Sequence, residues 1–84
     1  MSRYYFHVKD GHVSLDDEGM ELPTLGAARD FAIQHSGKIL RDGASSALWS
    51  GTPWSMWVTD APNGGGTTFF TLRFSGSAGE GVPL

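Results

Sequence analysis

The stretch RYYFHVKDGHVSLD, residues 3–16, decides the reading of the fold. Its first half is aromatic and β-branched, a composition that suits a pleated, half-buried surface. Asp10-Gly11 is a dipeptide favoured in two-residue type I′ hairpin turns, because Asp and Gly tolerate positive φ. Such a turn sets Lys9 opposite His12, Val8 opposite Val13 and Phe6 opposite Leu15. Opposed residues share a face. One face then carries Tyr4, Phe6, Val8, Val13 and Leu15, and the other Tyr5, His7, Lys9, His12, Ser14 and Asp16. A slip of one residue would mix the two sets, so the pattern itself predicts the register.

Downstream, Asp16-Asp17-Glu18-Gly19 reads as a polar turn. Glu21-Leu22-Pro23 reads as extended, since the residue before proline is steered away from helix. Thr24 is a fitting N-cap. From Leu25 to Asp42, residues Leu25, Ala28, Phe31, Ala32, Ile39 and Leu40 gather on one side of a helical wheel, with Asp30, Gln34 and Arg41 opposite. Gly37 weakens this helix and is where it would end or bend; Gly43 is a natural stop. Residues 44–53 read as a loop. Trp54 to Asp60 alternates as a strand, the Gly-rich stretch 61–66 is a turn, and Thr67 to Phe74 alternates again. The expected fold is α+β with the order ββαββ: two β-hairpins form one four-stranded sheet, with a single amphipathic helix packed on one face. Residues 1–74 form the domain and 75–84 a flexible Gly/Ser-rich tail.

The chain has 84 residues, which allows one domain. Its net charge is −3, and the six basic residues are scattered along the sequence, which argues against tracking a nucleic-acid backbone. With no cysteine, disulfides, thiolate metal sites and thiol catalysis are excluded, and a reducing cytoplasm is the expected location. No apolar run is long enough to span a membrane, and the first residues do not read as a signal peptide.

The opening Arg3-Tyr4-Tyr5-Phe6-His7-Val8, then Asp10-Gly11, Asp17-Glu18-Gly19, Glu21-Leu22-Pro23 and Ala27-Ala28-Arg29 form an ordered set of motifs. Val58-Thr59-Asp60, a Gly turn and a strand ending in Phe74 complete it. Over roughly residues 2 to 74 the chain resembles a family of small, uncharacterised alphaproteobacterial proteins catalogued as a domain of unknown function. Its members open Arg-Tyr-Phe-Phe-x-Val. This chain departs from them at Thr24-Leu25-Gly26, in the aromatic loop with Trp49 and Trp54, and in its longer tail. The resemblance implies fold and lineage and transfers no catalytic residue.

Candidate chemistry is sparse. His7 and His12 lie diagonally on one hairpin face and are weak candidates for a metal, but a structural zinc site needs about four ligands and no third appears. They are expected to be exposed polar strand residues. His35 falls on the helix stripe, where a partly buried imidazole bonded to a carbonyl or carboxylate is expected. The acidic residues around Gly19 lack the spacing of a calcium loop. Gly64-Gly65-Gly66 joins two strands and so offers no helix N-terminus to an anion. No nucleophile–base pair is recognisable, so no enzymatic activity and no cofactor are expected.

Aromatic parity carries more information. If Tyr4, Phe6, Val8, Met56, Val58, Phe70, Leu72 and Phe74 face the helix, then Tyr5, Trp57 and Phe69 face away from it. Together with Arg73, and with Trp49 and Trp54 at the periphery, they form the expected partner-binding surface, because Trp and Tyr are enriched at interfaces. The competing expectation is that loop 44–53, with Leu48 and Trp49, or the tail covers this face. The expected function is a non-enzymatic protein-interaction module, self-associating as a homodimer through the open sheet face or a sheet edge, or binding another protein. Alternatives are a small antitoxin-like regulatory subunit, or a platform for single-stranded nucleic acid or another ligand. The negative charge opposes the nucleic-acid version.

Overall fold

A computed structural model describes residues 1–83, the side chains of 44–46 excepted. The chain is α+β, with one open antiparallel sheet and one long helix. Strand β1 (Ser2–Lys9) is central to the topology. Its C-terminal half pairs with β2 (Val13–Ser14), its N-terminal half pairs with β3 (Met20–Leu22) on that same side, and β4 (Trp54–Thr59) lies on its other side. Strand β5 (Thr68–Phe74) pairs with β4 and ends the sheet. The sheet therefore has five strands where four were expected. The additional one is β3, in the segment read only as extended before Pro23.

The first hairpin corrects the expected register. Lys9 pairs with Val13 and Val8 with Ser14, one residue away from the type I′ alignment. A type I′ turn needs positive φ at both central residues. Gly11 adopts φ 98°, but Asp10 does not adopt positive φ. Its carboxylate instead accepts the His12 N–H at 3.4 Å, a local side-chain bond that spreads the turn over three residues. The slip moves Val13 and Leu15 off the helix-facing side, and both are exposed.

Helix α1 (Leu25–Ile39) begins as the sequence predicts: Thr24 Oγ1 accepts the Ala27 N–H at 3.0 Å. It runs through Gly37 without a break and continues as one π turn over Leu40–Ala44, where Gly43 turns the chain at φ 140°. A short helix, α2 (Ser45–Trp49), follows in the segment expected to be loop.

Fully buried Ala28, Ala32 and Ser36 line the face of α1 turned toward the sheet. Their spacing of four stacks them on one face, and their size lets the helix sit close to the strands. Ser36 Oγ donates to Met56 Sδ at 3.5 Å. Around this line pack Tyr4, Phe6, Trp54, Met56 and Val58, with Phe70, Leu72 and Phe74 half-buried beside them. Phe31 meets Phe6 edge-on at 4.8 Å.

Candidate functional site

The strand pairings arrange the face of the sheet away from α1 in three rows. Tyr5 lies beside Thr59 and Thr68; His7 beside Trp57 and Thr71; Lys9 beside Ser55 and Arg73. As side-chain parity predicts, Trp57 looks away from the helix. The face is nevertheless only half open. The 15–19 segment between β2 and β3 and the 3₁₀ turn Pro62–Gly64 between β4 and β5 fold over the first two rows. Asn63 N–H donates to the Asp16 carbonyl at 2.9 Å and ties the two loops together. The covering segments are thus neither 44–53 nor the tail, the two expected.

Asp16 holds this roof in place. The Asp16 carboxylate replaces a strand partner for β1 by accepting the Phe6 N–H at 3.0 Å. Its other oxygen accepts the N–H groups of Glu18 and Gly19, each at 3.0 Å. Its own N–H donates to His7 Nδ1 at 3.0 Å. An N–H can only donate, so Nδ1 must present a lone pair and the ring proton sits on Nε2. Nε2 lies 2.8 Å from Thr59 Oγ1, and that hydroxyl donates to the Ala61 carbonyl at 2.7 Å. The chain of bonds fixes His7 as a neutral imidazole.

The electrostatics agree. Burial holds His7 below its ordinary value of 6.5, against the opposing pull of the Asp16 carboxylate. For Asp16, burial acts to raise the carboxyl. The N–H bonds from Gly19, Phe6 and Glu18, with His7 beside them, outweigh it and bring the group below 3.8. Such a network is structural in character, because both imidazole nitrogens are engaged.

This placement corrects several expectations. His7 is fully buried rather than exposed, so it could not ligate a metal without breaking two hydrogen bonds. His12 lies exposed in the turn, and no group of three or more potential metal ligands occurs among the described residues. Trp54 belongs to the core: it is 1 % exposed, with its ring 5.7 Å from Phe74. It cannot meet a partner. Phe69 leaves the Trp57 face. The register shifts between Val58 and Thr59, so Val58 pairs with Phe70, Thr59 with Thr68, and Phe69 is the extra residue of a bulge. Bulges re-aim side chains; here the ring turns to Tyr4, edge-on at 5.6 Å.

Tyr5 and Trp57 stay on the outer face, both half-buried under the roof, with Trp57 5.2 Å from the His7 ring. Arg73 is exposed on the open third row, and Trp49 is exposed on α2. His35 stacks on Phe31 at 5.3 Å.

Two further surfaces take their shape from the strand order. No described strand pairs with the outer side of β5. Beside that edge a groove of about 350 Å³ runs between β5 and α1, lined by Arg29, Asp30, Ile33, Phe70, Thr71 and Leu72. Ile33 is 56 % exposed at its rim, and Leu25 is exposed two turns earlier on the same side of α1. The second surface is the open end of the outer face, a groove of about 450 Å³ around Lys9, Ser55 and Arg73.

Residues 3–75 match the family model of a domain of unknown function (DUF6894), and the chain belongs to that family. No curated protein and no solved structure matches it. No helix among the described residues is long and apolar enough to cross a membrane.

Proposed function

We propose that this member of the DUF6894 family is a non-enzymatic protein-interaction module that self-associates, and that the contact is antiparallel pairing of β5 with β5 of a second copy. The observation that carries the reading is the seven-residue edge strand, one side of which pairs with no described strand, bordered by exposed Phe69 on the strand and Ile33 on the helix. A free edge of this length offers backbone donors and acceptors to another strand. It lacks proline and lysine, two residues with which natural edges are blunted.

Self-complementarity favours a second copy over a foreign chain. In a two-fold antiparallel pair, opposed residues share a face whenever the axis passes through a residue. With the axis at Thr71, Phe70 lies opposite the second copy's Leu72; with the axis at Leu72, it lies opposite the second copy's Phe74. Both registers continue the apolar helix-side face across the junction. Both also bring the Leu25–Ile33 side of one α1 toward that of the other, so the apolar helix rims extend the contact beyond the strand pair.

Light scattering across a concentration series tests this directly. The wild-type chain is expected to give a dimer. Thr71→Lys is expected to give a folded monomer, because the new ammonium faces either its own copy or Arg73 in the two registers. A strict monomer at millimolar concentration ends the proposal, and so does a dimer that Thr71→Lys and Ile33→Glu leave intact.

A further inference from the structure

The third row of the outer face brings together two cations that are far apart in sequence. Lys9 on β1 and Arg73 on β5 flank Ser55 on β4, each in direct register with it. Adjacent strands lie about 4.8 Å apart, so the two cationic residues stand roughly 10 Å apart at their Cα atoms, with a hydroxyl midway between them. Both side chains are long enough to converge above Ser55. Thr52, Pro53 and Gly11 complete the walls of the groove. Neither Lys9 nor Arg73 has a salt bridge to a described residue, whereas Arg3 and Arg41 each bond a carboxylate. In an acidic protein with six basic residues, two of them line the same groove with no carboxylate among its walls. Their mutual repulsion is relieved by an anion between them.

We infer that this groove is a binding site for a phosphoryl group. Two cations match the charge of a phosphate monoester, and three donor side chains in a row match its several peripheral oxygens. A planar carboxylate would be satisfied by the Arg73 fork alone. The site shares Arg73 with strand β5 but lies on the outer face over Ser55, and it does not rest on self-association.

Amide chemical-shift titration of the full chain tests the assignment, with inorganic phosphate, acetate and chloride added at equal ionic strength. Phosphate is expected to move the amides of Lys9, Gly11, Thr52, Ser55 and Arg73 in a saturable manner, with acetate and chloride moving them far less. Lys9→Ala and Arg73→Ala are each expected to weaken phosphate about tenfold, while unchanged amide spectra elsewhere show that the fold persists. Arg73→Lys should recover only part of the loss. Equal responses to all three anions, a response to acetate alone, no response to phosphate, or a phosphate response retained in the Lys9→Ala/Arg73→Ala double variant each overturn the inference.

Discussion

The backbone N–H of Asp16 donates to Nδ1 of His7 at 3.0 Å, and this bond orders both the first hairpin and the outer face of the sheet. It holds the 15–19 segment against β1 between the stretches that pair with β2 and β3. The Asp16 carboxylate completes the arrangement by accepting three backbone N–H groups. Asp16→Ala leaves those three donors without their acceptor and is expected to cost about 3 kcal/mol. Asp16→Asn keeps one carbonyl oxygen and should cost about half as much. Urea denaturation at pH 7 measures both; equal stability of Asp16→Ala and wild type would show that the carboxylate does not hold the loop.

Acid should act on the same network before it reaches ordinary carboxylates. The folded state holds His7 below 6.5, so the unfolded chain takes up the proton first. The stability owed to neutral His7 is complete above about pH 7, begins to fall as pH drops through the unfolded value, and is gone once the folded imidazole titrates. Asp16, lowered below 3.8, adds a second loss of the same sign in more acidic solution. Urea midpoints between pH 7.5 and 5 are therefore expected to decline in wild type and to stay flatter in His7→Gln. A wild-type midpoint constant over that range would contradict a buried neutral His7.

Glycine provides a paired test. Gly19 adopts φ 72°, and a Cβ there would come within 2.8 Å of Tyr5 Cε2 and 2.9 Å of the Tyr4 carbonyl oxygen. Gly37 lies within α1, and a Cβ there meets nothing within 4 Å. Gly19→Ala is expected to destabilise by about 2 kcal/mol or more, from left-handed strain and backbone overlap together. Gly37→Ala is expected to stabilise by about 0.5–1 kcal/mol, because alanine loses less conformational freedom in a helix. Thermal melts of the two variants should move in opposite directions.

The residues that were legible in the sequence are those whose environment is periodic. Tyr4, Phe6, Met56, Val58, Phe70 and Leu72 alternate, and their common helix-facing side follows from alternation alone. Thr24 as a cap follows from its side-chain chemistry. The misread positions are those where a side chain bonds to the backbone out of step with the repeat. Asp10 converts the expected turn and slips the register, and Asp16 substitutes for a strand. The bulge at Phe69 is invisible because alternation assumes one residue opposite one. Strand β3 has only three residues, too few to show a period. The Lys9–Ser55–Arg73 row depends on β4 lying between β1 and β5, which strand order decides and local sequence does not.

The three tryptophans convert this packing into a graded measurement. Trp54 lies in the core at 1 % exposure, and its Nε1 has no hydrogen-bond partner among the described residues. Trp57 is half-buried beneath the roof, with Gly64 close to its indole nitrogen. Trp49 is 56 % exposed, its ring lying along Gly76, where a Cβ would come 2.7 Å from Cε3. In variants retaining a single tryptophan, with phenylalanine at the other two positions, acrylamide quenching is expected to rank Trp49 above Trp57 above Trp54. Truncation should rank the loss of stability in the reverse order. Trp54→Ala opens a core cavity and is expected to cost about 3–5 kcal/mol, somewhat offset by removal of an unsatisfied buried N–H. Trp49→Ala should stay within roughly 1 kcal/mol, since most of the ring is already in water. Trp57→Ala falls between them, because its loss uncovers one side of His7 without opening the helix-side core. A Trp57 as accessible as Trp49 would mean that the roof is not closed in solution, and the fixed tautomer of His7 would go with it.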